Sequence, residues 1–164
     1  MQEAFTTFQV TKALDPKMPR ERLRELIERG FIKPSFREPG PRGDKAMFTR
    51  EAVYGIQLFW RLQRAGYDRK HSSKFVKGML ARRELTTCDY IMLKRVDDQI
   101  IWRLFGSGLN PSTFGFDWET GDPTIVPMVE ELYGNKSPRK DWEEITFVNL
   151  KELRKTVDDK LLKL

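Results

Sequence analysis

The chain reads as mainly α with α+β character: a basic, helix-rich first half and a smaller α+β extension ending in an amphipathic helix. Three observations predict this. Apolar residues recur at helical spacing in several stretches of the first half, whereas β-prone runs are short and gather in the second. Charge is partitioned as well. Residues 1–83 carry 19 Lys and Arg against 9 Asp and Glu, a net +10, and residues 84–164 carry 11 against 15, a net −4. A cationic half joined to a mildly acidic one marks a polyanion-binding module followed by a part with another task. A chain of 164 residues holds one ordinary domain or two small ones sharing a core, and the expected division is 1–83 and 84–164.

The first helix is expected over residues 7–14. Phe8, Val10, Ala13 and Leu14 give it a modest apolar face, and Asp15-Pro16 stops it. Lys17-Met18 then leads into Pro19-Arg-Glu-Arg-Leu-Arg-Glu-Leu-Ile-Glu-Arg-Gly30. Here Leu23, Leu26 and Ile27 form a narrow apolar stripe and every other helical position is charged. Pro19 suits a first turn, where its missing N–H costs nothing, and Gly30 suits the left-handed residue after the last turn. Two such helices bury their stripes in the angle between them, and the second projects outward. Arg20, Arg22 and Arg24 flank its stripe near the N-terminus, where the backbone adds positive potential for phosphates. Arg24 is the foremost candidate for a DNA contact. The spacing Arg24–Glu28 and Glu25–Arg29 also fits ordinary exposed ion pairs.

Beyond Gly30, Phe31-Ile-Lys-Pro34 is expected to be extended, because Pro34 disfavours helix before it. A Gly/Pro-rich tip bearing Arg37, Arg42 and Lys45 follows, and Ala46-Met-Phe48 returns, as in a small hairpin or wing. Thr49 caps a helix over 50–65 whose Val53, Ile56, Phe59, Trp60 and Leu62 demand extensive burial. Gly66 ends it. A further amphipathic helix over 69–80 turns Phe75, Val76, Met79 and Leu80 inward and leaves Arg69, Lys70 and Lys74 outside. Helix, turn, arginine-rich helix, basic wing and capped helix, in that order, are the parts of a winged helix-turn-helix. Its expected DNA contacts are Lys17, Arg20, Arg22, Arg24, Arg37, Arg42, Lys45, Arg69 and Lys70.

This order of parts resembles the DNA-binding domain of the MerR family of bacterial transcription regulators, over about the first half of the chain. The corresponding residues are Leu23-Arg24, Gly30-Phe31-Ile32-Lys33-Pro34, Arg37 through Phe48, and Gly66-Tyr67. The resemblance implies that Arg24 contacts DNA from the recognition helix and that Arg42 or Lys45 does so from the wing. It also implies a sequence-specific regulator that meets the transcription machinery. The chain departs from the family where Glu25, Leu26 and Ile27 replace the usual Tyr and Glu after the recognition arginine, and where the wing is longer. A further departure is Glu84-Leu-Thr-Thr-Cys88, which stands in place of a long dimerising helix.

In the second half, residues 90–96 and 99–105 are β-prone runs joined around Asp97-Asp98. A Gly/Pro-rich, aromatic loop fills 106–123. Residues 125–132 read as a strand or short helix, 136–140 as a polar connector, and 145–148 as a last strand. Asn149 and Glu152 then open a capping-box-like helix over 150–164, with Leu150, Leu153, Val157, Leu161 and Leu164 on one stripe. The stripe suits either the protein's own sheet or the same helix of a second subunit. A homodimer sealed by it is the expected arrangement, because helix-turn-helix proteins often bind paired half-sites.

Other functions find less support. Cys88 is the sole cysteine, which rules out an intramolecular disulfide or a multi-cysteine metal site and fits a reducing cytoplasm; it reads as a structural thiol. No apolar run is long enough to span a bilayer, so no membrane association is expected. The alternatives are an excisionase-like architectural DNA-binding protein and a small metal-dependent enzyme using Asp117, Glu119 and Asp122. Those carboxylates match no calcium-loop spacing, and His71, the only histidine, lies among helix-surface positions. No cofactor, metal or catalytic residue is therefore expected.

Overall fold

A computed structural model describes residues 3–41, 43–96, 99–106 and 144–164. Arg42, Asp97-Asp98, the loop carboxylates Asp117, Glu119 and Asp122, and the segments expected at 125–132 and 136–140 lie outside the described residues. The α+β class is observed, with helices and two small antiparallel sheets. Among the described residues no helix is long and apolar enough to cross a membrane. The chain divides into two compact units, Met1–Thr86 with Leu150–Leu164, and Thr87–Asn149.

In the first unit, β1 (Ala4–Thr6) runs into α1 (Thr7–Ala13) through a capping box. Thr6 Oγ1 accepts from the Gln9 amide at 3.4 Å, and Gln9 Oε1 accepts from the Thr6 amide at 2.9 Å. The charged helix α2 (Arg20–Glu28) buries Leu23 and Leu26. Its end is closed by Gly30 at φ +75°: the Gly30 amide donates to Ile27 O and the Phe31 amide to Leu26 O, at 3.0 and 2.9 Å. A side chain at Gly30 would strain that left-handed closure. The hairpin strands β2 (Phe36–Glu38) and β3 (Lys45–Thr49) pair with Arg37 opposite Ala46, and β1 adds to the other edge of β3 with Phe5 opposite Phe48.

The expected strand at Phe31–Pro34 is displaced to Phe36. Earlier backbone is engaged elsewhere: Lys77 Nζ donates to Gly30 O at 2.7 Å and Ser73 Oγ to Phe31 O at 2.6 Å. Pro34 has no N–H for a ladder, so pairing starts with the Ser35 amide on Met47 O at 2.9 Å. β1 was not foreseen, because three residues are too few to display alternation.

Thr49 caps α3 (Arg50–Arg64) and Asp68 caps α4 (Arg69–Ala81). A Cβ at Gly55 would lie 3.0 Å from Leu80 Cδ1 and 3.2 Å from Val76 Cγ1, so a side chain there would have to displace those methyl groups of α4 by a few tenths of an ångström. Nearly the whole circumference of α3 is buried, from Val53 through Phe59 and Leu62, and α4 alone cannot cover it. The short α5 (Glu84–Thr87) buries Leu85.

The remaining wall comes from the far end of the chain. Helix α6 (Leu150–Leu161) packs against α1 and α3 and belongs to the first unit, which corrects the expected 84–164 extension. Leu150, Leu153 and Val157 are fully buried and Leu161 nearly so, whereas Leu164 is half exposed. The stripe expected to seal a dimer is therefore covered within the chain, because α1 and α3 present apolar faces that need it. Polar ties fix the docking: Asp158 accepts from Arg50 at 3.0 Å and from Tyr54 Oη at 2.8 Å, and Arg154 donates to Leu85 O at 2.8 Å. Burial and the hydrogen bond to Asp158 push the Tyr54 phenol up to about 12.

In the second unit, β4 (Cys88–Val96) lies between β5 (Gln99–Gly106) and β6 (Glu144–Asn149), all antiparallel. Ile91 stands opposite Val148 on β6, and Ile91, Leu93 and Val148 are buried.

Candidate nucleic-acid interface

The projection of α2 is set by what grips the turn before it. Gln57, fully buried on α3, accepts from the Asp15 amide and donates to Asp15 O, both at 2.7 Å. Trp60 Nε1 donates to Pro16 O at 2.9 Å, and Lys160 of α6 donates to Leu14 O at 3.1 Å and Asp15 Oδ1 at 3.0 Å. Held at the turn by α3 and α6, and beyond Gly30 by Ser73 and Lys77 of α4, the helix can turn little on its axis. Such anchoring is what a helix offered to a ligand as a rigid body requires.

The two sides of α2 then differ in electrostatic state. On one side Glu25 collects arginines: Arg22 at 2.5 Å, Arg29 at 3.3 Å and Arg69 of α4 at 3.3 Å. The Arg22 hydrogen bond, reinforced by the Arg22, Arg29 and Arg69 charges, holds the Glu25 carboxyl below its ordinary range. On the other side Arg20, Arg24, Ile27 and Glu28, at successive helical spacings, line a groove of about 580 Å³. Its remaining walls are Thr6, Thr7 and Phe8 at the start of α1, together with Arg37, Pro41, Gly43, Asp44, Lys45 and Ala46 of the hairpin.

Four sequence-predicted residues, Arg20, Arg24, Arg37 and Lys45, thus meet in one groove. All four are exposed, and among the described residues none is held in an ion pair. The Arg24–Glu28 pair that the spacing allowed is not formed, whereas Glu25–Arg29 is. Glu28 and Asp44 also line the groove, leaving cations in the majority. Arg22 and Arg69 are engaged by Glu25 instead of facing the groove. Lys17 and Lys70 are exposed outside it, and Arg42 lies outside the described residues.

Three participants escaped the sequence reading. Glu25 was legible as a partner of Arg29 but not of Arg69, 44 positions away. Gln57 offered no signal beyond a polar residue within an apolar helix. Phe8, which its helical spacing places on an apolar face, is 50 % exposed at the groove, with Lys12 Nζ over its ring at 4.3 Å. Away from the groove, His71 is exposed and its Nδ1 is bonded to Asp68, and Cys88 is half-buried beside the Thr87 hydroxyl. No protein-family model matches the chain, and no curated protein matches it either.

Proposed function

We propose that the first unit is a winged helix-turn-helix of MerR-like type and that the protein is a sequence-specific, double-stranded DNA-binding transcriptional regulator. One arrangement carries this: α2 and the β2–β3 hairpin wall a single groove that gathers Arg20, Arg24, Arg37 and Lys45 without carboxylate partners. Unpaired guanidinium and ammonium groups at that density repel one another, and a phosphate backbone relieves the repulsion. Arg24, in the middle of the projecting helix, is the base-reading residue, while Arg37 and Lys45 on the hairpin hold phosphates.

Selection from a randomised duplex pool tests this. Wild type enriches a short motif, and Arg24→Ala loses preference at one base position, where a bidentate arginine is worth roughly 1–3 kcal/mol. An unchanged motif removes Arg24 from base reading, and no enrichment at all removes the DNA function.

A second reading, an excisionase-like architectural protein, gains from the burial of the α6 stripe. Two copies on a two-fold site would have to meet through another surface, and an architectural protein works without a symmetric pair. Bending of the selected duplex, measured by circular permutation, favours that reading.

A further inference from the structure

Phe8 is the one large apolar side chain left half exposed among the cations of the groove, although its helical spacing places it on an apolar face. Ile27 and Ala46, both partly exposed, line the same groove, so apolar surface lies beside the ring among the charged and hydroxyl side chains of the walls. Lys12 Nζ lies over the Phe8 ring at 4.3 Å, a contact that favours this orientation of the ring. An aromatic ring among four unpaired cations suits a ligand that is anionic along its length and carries apolar groups at intervals. Among the four standard bases of duplex DNA only thymine offers this, through the 5-methyl group that projects into the major groove.

We infer that Phe8 is a specificity-determining residue that packs on a thymine 5-methyl group beside the base read by Arg24. This rests on the DNA-binding function proposed above and adds the base that the groove prefers. The guanidinium groups locate the strand, and the ring discriminates thymine from a pyrimidine lacking the methyl.

The test uses the full chain and a duplex selected from a randomised pool, with each thymine replaced in turn by deoxyuridine, which lacks only the methyl. At one position wild type should lose about fourfold in affinity, the worth of one buried methyl. Phe8→Ala should bind thymine and deoxyuridine there equally, while Phe8→Leu, still apolar, should keep part of the preference. Both variants should melt like wild type, since Phe8 is half exposed. Two results overturn the inference while leaving the DNA function intact: indifference to deoxyuridine at every position, or full methyl preference retained by Phe8→Ala. Failure to select any duplex overturns the DNA function and the inference together.

Discussion

Truncating Leu153 to alanine tests the placement of α6 against α1 and α3. Leu153 is fully buried, so Leu153→Ala removes apolar contacts and leaves a cavity, at a cost of about 2–5 kcal/mol. Alanine is itself a good helix former, so the loss is one of packing and not of helix propensity. With a urea dependence of about 1–2 kcal/mol per molar for a unit of this size, a loss of about 3 kcal/mol lowers the midpoint by roughly 2 M. Urea melts followed by circular dichroism at several protein concentrations should show this drop, with midpoints that do not move with concentration. A stripe sealing a dimer would instead add about 1.4 kcal/mol of apparent stability per tenfold rise in protein. A Leu153→Ala variant as stable as wild type, or one whose loss of stability vanishes as the protein concentration rises, would refute the intramolecular docking of α6.

The Tyr54 phenol, raised to about 12 in the folded chain, ionises near 10 once unfolded, so its stabilisation is whole below pH 10 and lost as pH rises through about 12. Urea melts across that window should show wild type losing up to about 3 kcal/mol more than Tyr54→Phe, and parallel profiles would contradict it. Arg22→Ala and Arg69→Ala, which remove partners of Glu25 and not groove cations, should leave the DNA affinity within about twofold in filter binding, whereas Arg24→Ala weakens it about tenfold or more. Equal losses in the three variants would mean that the two sides of α2 do not differ in function.

Much of the first unit was legible because its signals are local. Thr49 and Asp68 cap where helix starts were read, Gly30 and Gly66 carry the positive φ of helix ends, and Leu23 and Leu26 face inward. The groove was legible in part for the same reason, since Arg20 and Arg24 share a helix face and Arg37 and Lys45 sit on the hairpin. What failed was non-local. Nothing in the spacing of Leu150, Leu153 and Val157 says whether they cover the chain's own helices or another copy's. Their distance in sequence from α1 and α3 favoured the wrong assignment to an extension. The Glu25 tie to Arg69 was not legible because those two residues meet only in the fold, and the exposure of Phe8 was not because helical spacing gives no account of which apolar residue remains uncovered.

The dependence of DNA affinity on salt tests the DNA-binding claim most directly. If Arg20, Arg37 and Lys45 each meet one phosphate of a duplex while Arg24 reads a base, log affinity falls against log salt with a slope of about −2.7, so that raising salt from about 50 to 200 mM costs roughly 40-fold. Replacing Arg20, Arg24, Arg37 and Lys45 by alanine, all of them exposed, should leave the fold intact and flatten the slope nearly to zero. A steep slope that survives the fourfold replacement would move the interface elsewhere on the chain, and a flat slope in wild type would contradict duplex binding through this groove.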